Sequence, residues 1–260
     1  MSETMVSSTQ ANVQSKASAR KRPGPKVALL IALALFVVGT FSNVLIQTGF
    51  GSVKIEQVKL VDPVTKASIN TVLYAPENAT AETPAPVVIT MHGGSQNLAQ
   101  QQFLSLEYAR RGYIVLAVDF QGSGETEANT DRNSVTNAAI SFLQGLDFAI
   151  PDQIITVGHS MGGQAAFTAG QNHSDVVKLV IAVGMNTGET ELPTNYAYIL
   201  GKNDASALVR TNGQVRDIVD TDSYRQLFNT TEDIVIGQEY GNWADGTGRI
   251  YLVSNSRHTW

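Results

Sequence analysis

The stretch Ile154–Gly163, IITVGHSMGG, decides the reading of this chain. Ile154, Ile155, Thr156 and Val157 form the β-branched run of a buried strand. The run passes without a break into Gly158-His159-Ser160-Met161-Gly162, and the proline-free Gln164-Ala165-Ala166-Phe167-Thr168-Ala169 that follows suits a helix. The spacing predicts strand, one-residue corner and helix, with Ser160 at the apex and its hydroxyl pushed out of the sheet. Gly158 and Gly162 leave room where strand and helix backbones approach closely. The backbone N–H of Met161, at the start of the helix, is placed to stabilise a developing oxyanion.

In that setting G-x-S-x-G reads as a nucleophile elbow. On these residues the chain resembles the α/β-hydrolase family, over about Val53 to His258. The resemblance implies an α/β fold, a mostly parallel sheet with helices on both faces, and serine hydrolase chemistry.

Outward from the elbow, the hydrophobic pattern agrees with that fold. Val53–Val61 and Ile69–Ala75 flank the turn-forming Asp62-Pro63-Val64-Thr65-Lys66 and predict an antiparallel hairpin at the sheet edge. Val87–Met91, Tyr113–Val118, Val176–Val183, Tyr196–Leu200 and Arg249–Val253 read as further strands. Leu98–Arg111, with Phe103, Leu106 and Tyr108 among its apolar positions, reads as a helix, as do Ser134–Phe148, with a stripe of Ala138, Phe142 and Leu146, and Thr221–Phe228. Apolar strands alternating with helices imply a parallel sheet covered on both faces. Ligands of such sheets lie beyond the carboxyl ends of the strands. His92, Asp119, Ser160, Gly201 and His258 all fall at or just past such ends.

A serine hydroxyl needs a base, and the base needs an orienting acid. The chain has four histidines. His92 precedes Gly-Gly in a loop after a strand. His159 is the x of the elbow, expected to point away from the nucleophile. His173 lies near the end of the elbow helix, where a surface role is expected. His258 follows the last strand, where the family places its base. By the same resemblance Asp204, in Leu200-Gly201-Lys202-Asn203-Asp204, matches the acid loop and completes the order Ser…Asp…His, with Asp233 and Glu239 as the competing late acids. His92-Gly93-Gly94-Ser95 resembles the oxyanion loop, with the Gly94 N–H as the second donor beside Met161. Asp119-Phe120-Gln121-Gly122-Ser123-Gly124 resembles a structural D-x-R-G-x-G loop but carries Gln121 where arginine is common.

The short Gly184–Asn195 connection predicts an open cleft rather than a helical lid. The Gly-rich 237–248 loop, with Tyr240 and Trp243, is either a pocket wall or a surface hairpin. The chain stops two residues after His258, where relatives usually continue into a packing helix. The domain is therefore expected to be a piece of a longer protein, or to pack its end differently. In the latter case His258 is held weakly and Trp260 partly replaces the helix.

The N-terminal segment has a different character. Residues 1–26 are polar and aperiodic and read as a disordered tail. Lys16, Arg20, Lys21, Arg22 and Lys26 face only Glu3 there. Val27–Ile46 carries no charge over 20 residues, a helix of about 30 Å, enough for a bilayer core. A buried core helix, a cleaved signal peptide and a retained single-span anchor compete. The long basic stretch and the lack of a clear A-x-A site favour the anchor. The positive charges then place the N-terminus in the cytoplasm and the 51–260 domain outside, or secreted if the segment is cleaved.

Composition narrows the rest. With 43% hydrophobic residues a full core is expected, and the absence of cysteine excludes disulfides, thiolate metal sites and a cysteine nucleophile. Beyond Lys26 the chain holds 13 basic and 22 acidic residues, a poor match for nucleic acid. No metal or organic cofactor is expected. The partners are an acyl-bearing substrate and, through the first helix, a membrane. Three functions stay open: a serine hydrolase acting through an acyl-enzyme, an acyltransferase of the same chemistry, and a non-catalytic binding domain of a larger membrane protein.

Overall fold

The computed structural model describes residues 24–211 and 213–258. These fall into two units, one ending at Val44 and one beginning at Leu45. The first lies within one helix, α1 (Pro25–Gln47), whose side chains are exposed as far as Val44 and whose stretch Pro25–Ile46 is long and apolar enough to cross a membrane.

The second unit is built on one nine-stranded sheet of order β1-β2-β4-β3-β5-β6-β7-β9-β8. Its strands are β1 (Val53–Val61), β2 (Ser68–Pro76), β3 (Ala85–Met91), β4 (Ile114–Val118), β5 (Ala149–His159), β6 (Val177–Val183), β7 (Asn195–Gly201), β8 (Glu239–Tyr240) and β9 (Arg249–Ser254). The run from β4 to β9 is parallel, whereas β1, β2 and β8 are antiparallel additions at the two edges. The helices are α2 (Gln102–Arg110), α3 (Arg132–Gln144), α4 (Met161–Asn172), α5 (Ala205–Arg210) and α6 (Asp222–Leu227).

The chain leaves β3 through α2 to β4 on one side, then returns through α3 to β5 on the other. The reversal places a switch point at the carboxyl ends of β3 and β5, where open α/β sheets form their crevices. Met91 pairs with Gly158 at that point, so the loops after both strands open onto the same space.

Strand alternation sorts the core into two layers. Val87, Ile89 and Met91 join the α3, α4 and α6 side, with Val135, Ile140, Phe167, Tyr224 and Phe228. Val88, Val115, Ala117 and Val157 join α2 on the other, with Leu106 and Ala109. Beyond α2 this second face continues over β5, β6, β7 and β9. There Ile155, Leu179, Ile181, Ile199, Ile250 and Leu252 are only half-buried, and among the described residues no helix follows β9 to cover them.

Several expected details move. Leu98–Gln101 is a 3-10 turn, with only the remainder of that segment α-helical. Phe103 is 87% exposed, because it points away from the layer that Leu106 and Ala109 enter. The helix expected over Ser134–Phe148 starts at Arg132, capped by Asp131 whose carboxylate accepts the Asn133 and Ser134 N–H groups, and ends at Gln144. Its buried stripe is Val135, Ala139, Ile140 and Leu143, so Ala138, Phe142 and Leu146 lie at the edge of the core. Helix α5 has no apolar periodicity and begins instead at an aspartate cap, Asp204.

Arg249 ties down the amino-terminal end of the sheet. It is 7% exposed, and its guanidinium donates to the carbonyls of Leu192, Thr194, Leu227, Gly246 and Gly248. The planar fork fits this cage of carbonyls, which a single ammonium could fill only in part. Arg249→Lys is expected to lower the free energy of unfolding by about 2–4 kcal/mol, through buried carbonyls left without donors. Urea unfolding followed by tryptophan fluorescence measures it.

Candidate active site

Ser160 sits between β5 and α4 with φ 51° and ψ −114°, a strained conformation for a residue with a Cβ. Such backbone costs about 1–3 kcal/mol and persists only where its surroundings over-determine it. Here they do. The Ser160 N–H donates to the Val183 carbonyl at 2.7 Å, continuing the β5–β6 ladder to the last residue before the turn. A Cβ on Gly158 would lie 2.0 Å from the Gly162 carbonyl oxygen, and one on Gly162 would lie 2.3 Å from that of Met91. Strand β3, strand β5 and helix α4 meet backbone to backbone. The Ser160 side chain makes no capping bond to α4, which leaves its hydroxyl available at the sheet's carboxyl edge.

His258 and Asp204 come together from beyond the ends of β9 and β7, which are neighbours in the sheet. The His258 Nδ1–H donates to Asp204 Oδ2 at 2.7 Å, leaving Nε2 with a lone pair. Asp204 is fully buried. Its Oδ1 accepts from the Ser206 N–H at 2.9 Å, the Ser206 hydroxyl at 2.7 Å and the Ala207 N–H at 3.3 Å. Burial works to raise this carboxyl, but the bonds from His258, Ser206 and Ala207 outweigh it and hold the group below the usual carboxylate range.

The loop carrying His258 is laced to the acid loop rather than held weakly. Lys202 N–H donates to the Ser254 carbonyl and Asn203 N–H to that of Ser256. Gly201 passes so close beneath that a Cβ there would meet the Arg257 carbonyl oxygen at 2.1 Å. The tether is thus supplied by β7 and its following turn; Thr259 and Trp260, the expected substitute, lie outside the described residues. The His258 ring packs beside Gly184, which follows the Val183 partner of Ser160. Among the described residues no hydrogen bond joins the Ser160 hydroxyl to His258. Free enzymes often hold this contact loosely and tighten it with substrate bound.

Among the described residues no acceptor takes the N–H of Gly94 or of Met161, the two expected oxyanion donors. Gly94 is exposed in the loop after β3, and Met161 opens α4, where helix geometry leaves its amide without a partner. His92 shapes that loop. Its Nε2 accepts from the Phe120 N–H at 3.0 Å, so the ring proton is on Nδ1, donating to the Gly93 carbonyl at 2.7 Å. Asp119 supports the same region, accepting from the Leu98 N–H at 2.6 Å and the Asn70 side-chain amide at 2.7 Å. Asp119, the first residue of the D-x-Q-G-x-G loop, thus ties that loop to β2 and to the turn before α2.

The competing residues lie elsewhere. His173 bonds Asn137 on the surface. The Asp233 side chain is 93% exposed, and Glu239 accepts from the Trp243 indole N–H. The 237–248 loop does not wall the site: β8 pairs with the start of β9, which puts Trp243 at the opposite, amino-terminal edge. There it lines a groove of about 650 Å³ with Tyr113, Ile155 and Leu179.

His159, expected only to point away from the nucleophile, is 2% exposed and its ring lies against the His258 loop, with Nε2 on the His258 carbonyl. Ser206 was missed as well. Neither position carries a local signal beyond its place next to a motif.

Comparison with known proteins agrees with this architecture. Residues 86–235 match the family model described as the alpha/beta hydrolase fold. A solved esterase of Pyrococcus furiosus superposes with TM-score 0.58 at 12% identity, over 81% of this chain and 86% of that one. The dipeptidyl peptidase 4 of Porphyromonas gingivalis superposes with TM-score 0.56 at 14% identity, over 80% of this chain but only 33% of its own length. A hypothetical protein of Pseudomonas aeruginosa gives 0.55 at 13%, over 80% and 87%. At these identities the structures speak for the fold alone. The family match covers more than half of the chain, which belongs to the alpha/beta-hydrolase family; fold and family together support a hydrolase.

The histidines make stability depend on pH. Burial lowers both His92 and His159 from their ordinary values, against opposing pulls from the carbonyls of Gly93 and His258. The unfolded chain takes up protons near pH ~6.5 that these folded rings resist. Stability should be level above that pH and fall as the pH drops through it. Urea midpoints measured from about pH 8 to about pH 5 check this; a flat profile contradicts it.

Proposed function

We propose that this member of the alpha/beta-hydrolase family is a membrane-anchored serine hydrolase that cleaves an ester, thioester or amide through an acyl-enzyme. The observation that carries the reading is the 2.7 Å bond between His258 Nδ1 and the buried Asp204 carboxylate, at the sheet edge where the strained Ser160 stands.

In this reading Ser160 Oγ attacks the acyl carbon as His258 Nε2 takes its proton. Asp204 keeps the proton on Nδ1 and balances the imidazolium that forms. The carbonyl oxygen becomes an oxyanion held by the Gly94 and Met161 N–H groups, each such donor being worth about 3 kcal/mol of barrier. As the tetrahedral intermediate collapses, the bond to the leaving group breaks and the leaving atom takes the proton from Nε2. Water then attacks the acyl-enzyme, giving its proton to the same nitrogen. The acid departs, and Ser160 recovers its proton. An acyl acceptor other than water in the second half would make the same machinery an acyltransferase.

The anchor rests on α1. Within its stretch Pro25–Ile46 an 18-residue window has mean hydropathy 2.5 and is unburied in the structure, and five basic residues precede or begin the stretch. That bias retains the N-terminus in the cytoplasm and exports the hydrolase domain.

A fluorophosphonate probe tests the chemistry. Wild type should label, Ser160→Ala should not, and His258→Ala should label more slowly by roughly 10⁴-fold or more. An unlabelled, folded wild type favours the non-catalytic binding domain. Topology is tested separately: protease added to intact cells should digest the domain from residue 51 onward and spare the tail. Protection until lysis reverses the orientation.

A further inference from the structure

We propose that His159 is a positioning residue, a strut that fixes the loop carrying His258 against the oxyanion loop by donating its Nε2–H to the His258 main-chain carbonyl. The inference rests on the serine-hydrolase reading above.

The geometry is specific on both sides of the ring. Towards the base loop, Nε2 meets a carbonyl oxygen, an acceptor only, so this nitrogen carries the proton. The His159 and His258 rings lie with centroids 4.9 Å apart, tilted by 59°. Towards the oxyanion loop, the ring presses on Gly93 so closely that a Cβ there would lie 2.7 Å from Nδ1 and 3.3 Å from Cε1. One side chain, placed by the residue before the elbow serine, thus touches the loop that offers Gly94 and the loop that offers the base.

The carbonyl contact complements the Asp204 bond. Asp204 holds one point of the His258 ring and leaves rotation about that bond to the backbone. The backbone link from Asn203 N–H stops at Ser256. A donor on the His258 carbonyl itself fixes the main chain from which the ring hangs, and with it the direction of the Nε2 lone pair. An error of about 1 Å in such placement can cost about 10²-fold in rate.

A histidine suits this post electrostatically. Burial keeps His159 neutral, so it donates without repelling the imidazolium that His258 becomes. A lysine or arginine would donate too, but would set a second positive charge against that imidazolium.

A ring that merely filled space would be replaceable by another ring. The test therefore compares His159→Phe, which keeps the ring and loses the donor, with His159→Gln, which keeps an N–H donor of similar reach. Full-length chain in detergent is assayed for fluorophosphonate labelling rate and for kcat and KM on p-nitrophenyl acetate, with unfolding midpoints alongside. His159→Phe should lower kcat and labelling about 10²-fold while KM moves less than about 3-fold, and His159→Gln should stay within about 5-fold of wild type. If His159→Phe does not fold, His159→Leu replaces it with the same expectation. Wild-type rates in the donor-free variant, or equal losses in both variants, overturn the positioning role. Wild-type labelling of Ser160→Ala is a different result: it removes the serine-hydrolase reading, and this inference with it.

Discussion

Three backbones meet at one point: the end of β3, the end of β5 and the first turn of α4. Gly158 and Gly162 are the condition for that meeting, since a Cβ on either would overlap a carbonyl 2.0–2.3 Å away. Because the backbones touch, the corner between β5 and α4 is a single residue, and that residue is driven into a strained conformation. The energy comes from the surroundings, a parallel sheet buried on the α3/α4 side by a continuous apolar layer. The same contact brings the loops after β3 and β5 side by side, which is what a nucleophile and an oxyanion donor require.

Charge is handled differently at the two ends of the sheet. At the amino end a buried guanidinium is surrounded by carbonyl dipoles, with no carboxylate among the partners of its five hydrogen bonds. At the carboxyl end a buried carboxylate is surrounded by donors, one of them the His258 ring. The first arrangement holds loops together. The second fixes a tautomer and leaves a basic nitrogen directed elsewhere. His92 and His159, both kept neutral by burial, stand at this carboxyl end as hydrogen-bonding parts rather than charges. The sheet thus carries a cage of carbonyls at one end and the candidate site at the other, the end beyond which open α/β sheets bind their ligands.

The apolar helix α1 and the half-buried sheet face over β5–β9 are two places where apolar surface is left without cover among the described residues. The first has the length and composition of a membrane span. The second ends in a groove walled by Tyr113 and Trp243.

The sequence by itself determined the elements whose cause is local. The β-branched run into G-x-S-x-G fixed the elbow, the alternation of apolar strands and helices fixed the parallel sheet, and an uncharged 20-residue run stood out as a possible span. The edge hairpin was legible because a turn-forming stretch separated two strand patterns. Helix ends were less so: Asp131 is an N-cap visible in sequence, yet the burial stripe of α3 lay one residue off, since the facing sheet, not the helix, decides which side is buried. What only the tertiary structure decided was long-range. That Asp204 rather than Asp233 faces His258 follows from β7 and β9 being neighbours in the sheet, although some 50 residues separate their ends. That the His159 ring meets the His258 carbonyl is likewise long-range, for the loop after β9 reaches back over β7 and β6 to the end of β5. Local propensity extends over a few residues; contacts of that span exist only once the sheet has assembled.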